Sequence, residues 1–200
     1  MRPSAKNRPI PVRIVGGKYR GRRLEAPQSR DIRPTADRTR EALFNILEGG
    51  RFGPPDLLQE ARVLDAFAGS GALGLEALSR GAAAAVFLDA APVAAALCRS
   101  NIEALGLADR ATLIVGDALK PAKAPAPADL VLMDPPYGQA LGALALSALA
   151  RQGWLTQDAL SVVETAAKEA FAPPPGFEVL ERRRYGKAEL IFLKMLGVAA

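Results

Sequence analysis

A β-strand that breaks into a glycine-rich turn and restarts as a helix leaves a chain few folds, and residues 63–80 read that way. Val63-Leu64-Asp65-Ala66-Phe67 is a short apolar run. Ala68-Gly69-Ser70-Gly71-Ala72-Leu73-Gly74 then opens a helix that Gly81 stops after Arg80. A strand apolar on both faces must be covered on both, and its helix must carry the chain back to start a parallel neighbour. The rhythm repeats downstream. Val86-Phe87-Leu88 is a second strand, and Pro92 opens an Ala/Leu helix closed by Gly106. Thr112–Val115 is a third strand, and a Pro/Ala loop over 121–128 leads to a fourth, Leu130–Met133. A helix over roughly 140–150 leads to a fifth, Leu160–Val163. Phe177–Glu181 and Leu190–Lys194 flank Tyr185-Gly186 with no helix between them, which predicts a terminal antiparallel hairpin. The expected fold is α/β: a doubly wound, mostly parallel seven-stranded sheet ending in that hairpin.

Upstream of the sheet the character changes. Residues 1–11 hold three Pro and little apolar material, and no fixed structure is expected of them. Val12-Arg13-Ile14-Val15, a turn at Gly16-Gly17 and a second run to Leu24 read as a small basic N-terminal β-hairpin. Thr35 reads as a helix N-cap with Asp37 in the first turn, and Ala42, Leu43, Ile46 and Leu47 carry the helix to Glu48. The expected division is a basic arm and hairpin over 1–30 and the sheet domain over 31–200. Residues 1–40 hold 12 Lys or Arg and 3 acids, whereas the remainder is net −4. A basic arm on a mildly acidic body points to a polyanionic partner, and it lacks the apolar face that a membrane-surface helix needs.

The 200 residues include no His and a single Cys. Ser-His-Asp and Cys-His catalysis, His-ligated zinc and imidazole proton shuttles are thereby excluded, and no metal is expected. One Cys forms neither an internal disulfide nor a thiolate cage, which suits a reducing, cytoplasmic setting. Met1-Arg2-Pro3 runs into charge rather than an apolar stretch, so no signal peptide is expected. Pro135–Ala150, the longest uncharged run, is too short and too broken to span a bilayer.

Gly69-x-Gly71-x-x-Gly74 has the spacing of a dinucleotide loop, and Asp89 ends the next strand, where a carboxylate accepts both hydroxyls of a ribose. A nicotinamide enzyme shares that much. Asp65, just before the loop, repels a pyrophosphate but suits an ammonium or sulfonium cation. Gly116-Asp117-Ala118 follows the third strand, where the Asp117 carboxylate can take an adenine amine and a backbone N–H the ring. Together these favour S-adenosylmethionine, with Phe67 and Ser70 contributing from the loop. The competing readings are a structural hydrogen bond for Asp65 and a helix cap for Asp117.

Asp134-Pro135-Pro136-Tyr137 ends the fourth strand, on the sheet edge that faces the ligand crevice of an open α/β fold. Two prolines make a stiff corner rich in acceptors, and Tyr137 adds a flat π surface. A planar exocyclic amine complements it: Asp134 and the Pro135 carbonyl accept its hydrogens and aim its lone pair at an electrophilic methyl. Cys98 lies in a helix and reads as core, away from this edge, which argues against a Cys adduct.

With these residues assembled, the chain resembles the bacterial small-subunit ribosomal RNA guanine-N2 methyltransferases of the class I, Rossmann-like S-adenosylmethionine fold. The most specific parts are Arg13–Arg22 and Arg33–Asn45, and Asp65–Gly74 and Asp134–Tyr137 are shared more widely among amine methyltransferases. The resemblance implies that Thr35 and Arg38 lie beside the cofactor pocket. It also implies that Arg13, Lys18, Tyr19, Arg20, Arg22 and Arg23 grip RNA. The expected activity is methylation of a guanine N2 amine in 16S rRNA within an assembling small subunit, by a monomer. The rivals are an amine methyltransferase acting on adenine N6 in DNA or RNA or on a protein glutamine side chain, a non-catalytic RNA-binding module, and a nicotinamide-dependent oxidoreductase. Arg182-Arg183-Arg184 reads first as a solvated strand end, and the competing reading joins it with Lys187 as a second phosphate patch.

Overall fold

The computed structural model describes residues 12–26, 34–53 and 56–196, the side chains of 34–36 excepted. Residues 1–11 and the expected 30/31 division therefore lie outside the described residues. The elements run α1 (Pro34–Glu48), β1 (Arg62–Ala66), α2 (Ala72–Ser79), β2 (Ala84–Asp89), α3 (Pro92–Leu105) and β3 (Ala111–Val115). They continue with β4 (Ala128–Met133), α4 (Leu141–Arg151), β5 (Leu155–Ala166), β6 (Phe177–Tyr185) and β7 (Ala188–Met195).

One seven-stranded sheet results, in the order β3-β2-β1-β4-β5-β7-β6. The first five strands are parallel, and β7 runs antiparallel to both β5 and β6. The chain winds outward from β1 to β3, then returns to lay β4 on the other side of β1. That reversal opens a crevice beyond the carboxyl ends of β1 and β4, where such sheets bind ligands.

Apolar side chains cover both faces, as strands such as Val63–Ala66 and Leu130–Met133 require. On one face α1, α2 and α3 bury Phe44, Leu47, Leu75, Leu78 and Phe87. On the other, α4 buries Leu146 and Leu149 beside Trp154, whose indole N–H donates to Ala122 O at 2.8 Å and ties down the Pro/Ala loop.

Three expectations change in detail. The first helix starts at Pro34, so Thr35 sits in its first turn and is not the N-cap. Proline suits that opening position because its missing N–H has no helical acceptor there. The fifth strand spans 12 residues rather than the apolar Leu160–Val163 alone. Its polar start, Thr156-Gln157-Asp158, pairs irregularly with β4, and Asp158 has φ of 64°.

The third change concerns the hairpin. Arg13 and Arg23 form an antiparallel bridge, but the turn extends over residues 16–21. Gly16-Gly17 serves instead to dock it: a Cβ on Gly17 would lie 1.9 Å from Ser79 O. Ser79 accepts from Lys18 N at 2.7 Å and, through its hydroxyl, from Tyr19 N at 2.9 Å. Ile14 and Leu24 join the same core as α1 and α2.

Buried charge fastens this contact. The fully buried Glu76 of α2 accepts from Val15 N at 2.8 Å and from Arg80 Nε at 2.7 Å. Arg80 also reaches Glu48 at 2.8 Å, and Arg40 of α1 joins Asp37 at 2.6 Å and Arg13 O at 2.7 Å. Among the described residues no helix is long and apolar enough to cross a membrane.

Candidate active site

The loop after β1 is held open by backbone conformation. Phe67 has φ of 61°, rare for a side chain of that size, followed by Gly69 at 57° and Gly71 at 80°. The glycines have different reasons. A Cβ on Gly71 would lie 2.8 Å from Cys98 Sγ, and one on Gly74 2.4 Å from Phe87 Cε1, so both are demanded by packing beneath the loop. A Cβ on Gly69 would meet nothing nearer than Phe67 O at 4.0 Å. Only Gly69 presents an unobstructed face.

Three polar anchors, Asp65, Asp89 and Asn101, shape this loop. Asp65 is 1% exposed, and its Oδ2 accepts from Gly74 N at 2.8 Å. Burial pushes its carboxyl well above the usual range, the Gly74 N–H opposes this, and Asp134 and Asp89 add to it. Its side chain thus sits beneath the loop as an anchor. At the end of β2, Asp89 accepts from Gly69 N through Oδ2 and from Ala91 N through Oδ1, both at 2.8 Å. Each oxygen keeps a further lone pair. Beyond β3, the exposed Asp117 accepts from Leu119 N at 2.8 Å beside the buried Ala118, so it caps its own turn as well as standing at the crevice. Asn101 of α3 was not read from the sequence. Its Nδ2 donates to Ser70 O and to Glu25 O, each at 2.9 Å, joining the loop to the chain that follows the hairpin.

Cys98 needs a correction. It is core, as expected, but it lies directly under Gly71 rather than away from this edge. Burial pushes its thiol up to about 12, so it is no nucleophile.

On the far side of the switch point, Asp134 follows β4 and is exposed at the crevice, yet the protein around its carboxyl is close enough to desolvate it. That desolvation, with the Glu164 carboxylate second, pushes its pKa up to about 7. Pro135 is buried, and Pro136 and Tyr137 are exposed. The Tyr137 hydroxyl donates to Glu164 Oε1 at 2.6 Å. The turn beyond is pinned by the Glu169 carboxylate, which accepts from Gly138 N at 3.0 Å and Ala140 N at 3.1 Å. These backbone bonds, Gly138 foremost, hold the Glu169 pKa below its ordinary value.

A cavity of about 90 Å³ adjoins Asp134, lined by Thr39, Arg40, Leu73, Met133, Asp134 and Glu164 among others. Glu164 is the residue that sequence reading passed over. The signal was present: an acid one step past the apolar run Leu160–Val163, as Asp89 and Asp134 are past theirs. Arg38 is exposed on α1, and the side chain of Thr35 lies outside the described residues.

The basic hairpin is partly committed. Arg13 pairs with Asp37 at 3.5 Å, Arg22 donates to Ala104 O at 2.8 Å, and Lys18 sits 5.5 Å over the Tyr19 ring. Arg20 and Arg23 are exposed and pair with no described residue. In the C-terminal cluster, Arg182 and Arg184 donate to Phe171 O and Ala167 O, and Arg183 pairs with Glu181 at 2.8 Å. These three brace the sheet edge and its neighbouring loop.

Comparison with known proteins agrees with this architecture. A family model described as "Conserved hypothetical protein 95" matches residues 12–194. The ribosomal RNA small subunit methyltransferase D of Escherichia coli K12 is 37% identical over 174 residues, 86% of this chain and 84% of that one. The protein of the same name from Haemophilus influenzae is 34% identical, covering 92% of each chain. The solved structure of the Escherichia coli protein yhhF superposes with a TM-score of 0.79 at 32% identity, over 93% of this chain and 98% of that one. The glycine loop, the Asp-Pro-Pro-Tyr corner and the match over residues 12–194 converge: the chain belongs to the ribosomal RNA small subunit methyltransferase D family.

Proposed function

We propose that the protein transfers the methyl group of S-adenosylmethionine to the exocyclic N2 amine of a guanine in small-subunit ribosomal RNA. The observation that carries this reading is the meeting of Asp134 with the glycine loop at the switch point of one sheet. The relatives, named for methyl transfer to that RNA, support it.

The residues present suit the cofactor. Gly69 leaves an open face, Asp89 keeps lone pairs for two ribose hydroxyls, and Asp117 and Ala118 stand where an adenine is addressed. Phe67 and Ser70 are assigned to that wall, and the family resemblance adds Thr35 and Arg38 of α1. When bound, S-adenosylmethionine supplies a methyl group on a sulfonium centre.

The protein's part is to make a poor nucleophile attack. An aromatic amine has its lone pair delocalised into the ring. The Asp134 carboxylate and the Pro135 carbonyl accept the amine's two hydrogens and turn that lone pair toward the methyl. Pro136 keeps the corner stiff, and the Tyr137 ring receives a base swung out of its stack. The carboxylate of Asp134 then takes the proton that the methylated nitrogen sheds.

This role predicts a pH dependence. The working form of Asp134 is ionised, and its pKa is about 7. Activity is expected to fall as pH drops through that value and to level off above it. A kcat/KM profile flat for roughly one unit on either side rejects the role.

The hairpin supplies the RNA contact, through Arg20 and Arg23 above all, with Arg13, Lys18, Tyr19 and Arg22 beside them. Replacing both Arg20 and Arg23 by Ala is expected to weaken binding to small-subunit particles. The slope of log affinity against log salt should flatten by about 1.4–1.8, two phosphates' worth. An unchanged slope places the RNA elsewhere. On this reading the protein works as a cytoplasmic monomer on an assembling subunit. The deciding experiment is nucleoside analysis of 16S rRNA from cells lacking the protein. The proposal expects loss of one N2-methylguanosine, whereas loss of an N6-methyladenosine establishes the alternative substrate.

A further inference from the structure

We infer that Glu164 reads the N1–H of the target base beside Asp134 and thereby selects guanine over adenine. The inference rests on the methyl-transfer reading above and names what makes that site specific.

Placement comes first. Strands β4 and β5 are parallel, with Met133 beside Val163, so Asp134 and Glu164 leave the sheet as neighbours. Adjacent strands lie about 4.8 Å apart, close to the spacing at which two side chains address adjoining positions of one base. Both carboxyls line the same cavity, together with Thr39 and Arg40 of α1. Glu164 is held in place, because its Oε1 accepts from the Tyr137 hydroxyl at 2.6 Å. Its Oε2 has no hydrogen bond to a described residue and remains for a ligand. On β7 the partner of Glu164 is the apolar Leu190, so Arg40, Asp134 and Tyr137 are the charged or titratable groups facing it. Burial pushes the Glu164 carboxyl above its ordinary range, while the Tyr137 hydroxyl and then Arg40 favour its ionised form.

The chemistry follows from the base edges. Guanine presents N1–H next to its N2 amine, a row of donors. Adenine presents a bare N1 lone pair next to its N6 amine. Two neighbouring carboxylates form a row of acceptors. They match guanine, and Glu164 sets an acceptor against the N1 of adenine. A site built to bond a particular N–H rejects a substrate without it by as much as about 10⁴–10⁵-fold, because its buried acceptor is left unpaired. Asp134 alone makes no such distinction, since both bases carry an amine.

The test uses the full-length protein, radiolabelled S-adenosylmethionine, and a model RNA whose methylated nucleotide has first been mapped. Glu164→Gln is expected to lower kcat/KM on the guanine RNA by about 10- to 150-fold, the range for one charge-assisted hydrogen bond. Affinity for S-adenosylmethionine should be unaffected. A second substrate carries 2-aminopurine at the target position, which keeps the 2-amine and loses N1–H. The wild-type protein should methylate it far more slowly than guanine. Glu164→Gln should narrow that gap, because its amide can donate to N1.

A purely structural role through Tyr137 is separated by repeating the substitution in a Tyr137→Phe background, where the same loss is expected. If the loss vanishes there, or if Glu164→Gln works normally on guanine, the inference is overturned while methyl transfer stands. If the wild-type protein labels an adenine, the functional reading falls and this inference with it. Should Glu164→Gln not fold, equal methylation of 2-aminopurine and guanine by the wild type overturns the inference by itself.

Discussion

Asp134→Ala is expected to fold, to bind S-adenosylmethionine with near-native affinity, and to transfer methyl groups about 10²–10³-fold more slowly, as when one oriented group is lost at a reaction centre. The loss should appear in kcat, because the carboxylate acts on the amine during attack. Cofactor binding is separate: Asp89 and the Gly69 loop belong to β1 and β2, across the switch point from β4. Stability moves the other way. A carboxyl whose pKa is raised from 3.8 to about 7 destabilises the fold once ionised. That penalty grows as pH rises from the unfolded toward the folded value and is complete above it. The Ala variant should therefore be at least as stable as the native protein at neutral pH. Single-turnover rates and thermal melts check the two halves. Normal turnover removes Asp134 from the mechanism.

The largest stability effect is expected from Glu76→Ala. Glu76 is fully buried, and its two oxygens hold Val15 N and Arg80 Nε, while Arg40 Nε approaches to 3.9 Å. Removing it strands buried positive charge and an unpaired backbone N–H. Breaking a buried pair in this way costs about 3–5 kcal/mol, a large part of the about 5–15 kcal/mol that keeps a typical domain folded. The urea midpoint should fall by more than about 1 M. Glu76→Gln keeps an acceptor for Val15 and should lose less. Because Glu76 fastens the hairpin to α2, Glu76→Ala should also weaken RNA binding. A native midpoint shows that the network contributes little.

The network was absent from the sequence reading for a physical reason. Glu76 lies in an Ala/Leu helix and is 61 residues from Val15, and no local pattern marks an acid that will be buried. Asn101 is similar: it meets Glu25 from 76 residues away. Within α1, Arg38 and Glu41 stay exposed, while Arg40, two residues from Arg38, is buried and pairs with Asp37. Helical periodicity says which residues share a face. It does not say which of them another element will cover.

What the sequence determined alone was whatever depends on near neighbours. Apolar runs of strand length alternating with capped helices specify a parallel sheet. Glycines at 69, 71 and 74 specify a tight turn, and acids one step past apolar runs land at the carboxyl edge. Tertiary structure decided how those pieces are used. It assigned Gly71 and Gly74 to packing over Cys98 and Phe87 and left Gly69 facing the crevice. It turned Asp65 beneath the loop, extended β5 through residues too polar to be read as strand, and brought Glu164 beside Asp134. Each of these outcomes depends on strand order, and strand order is a property of the whole sheet, because contacts between distant segments set it and local preferences carry no record of them.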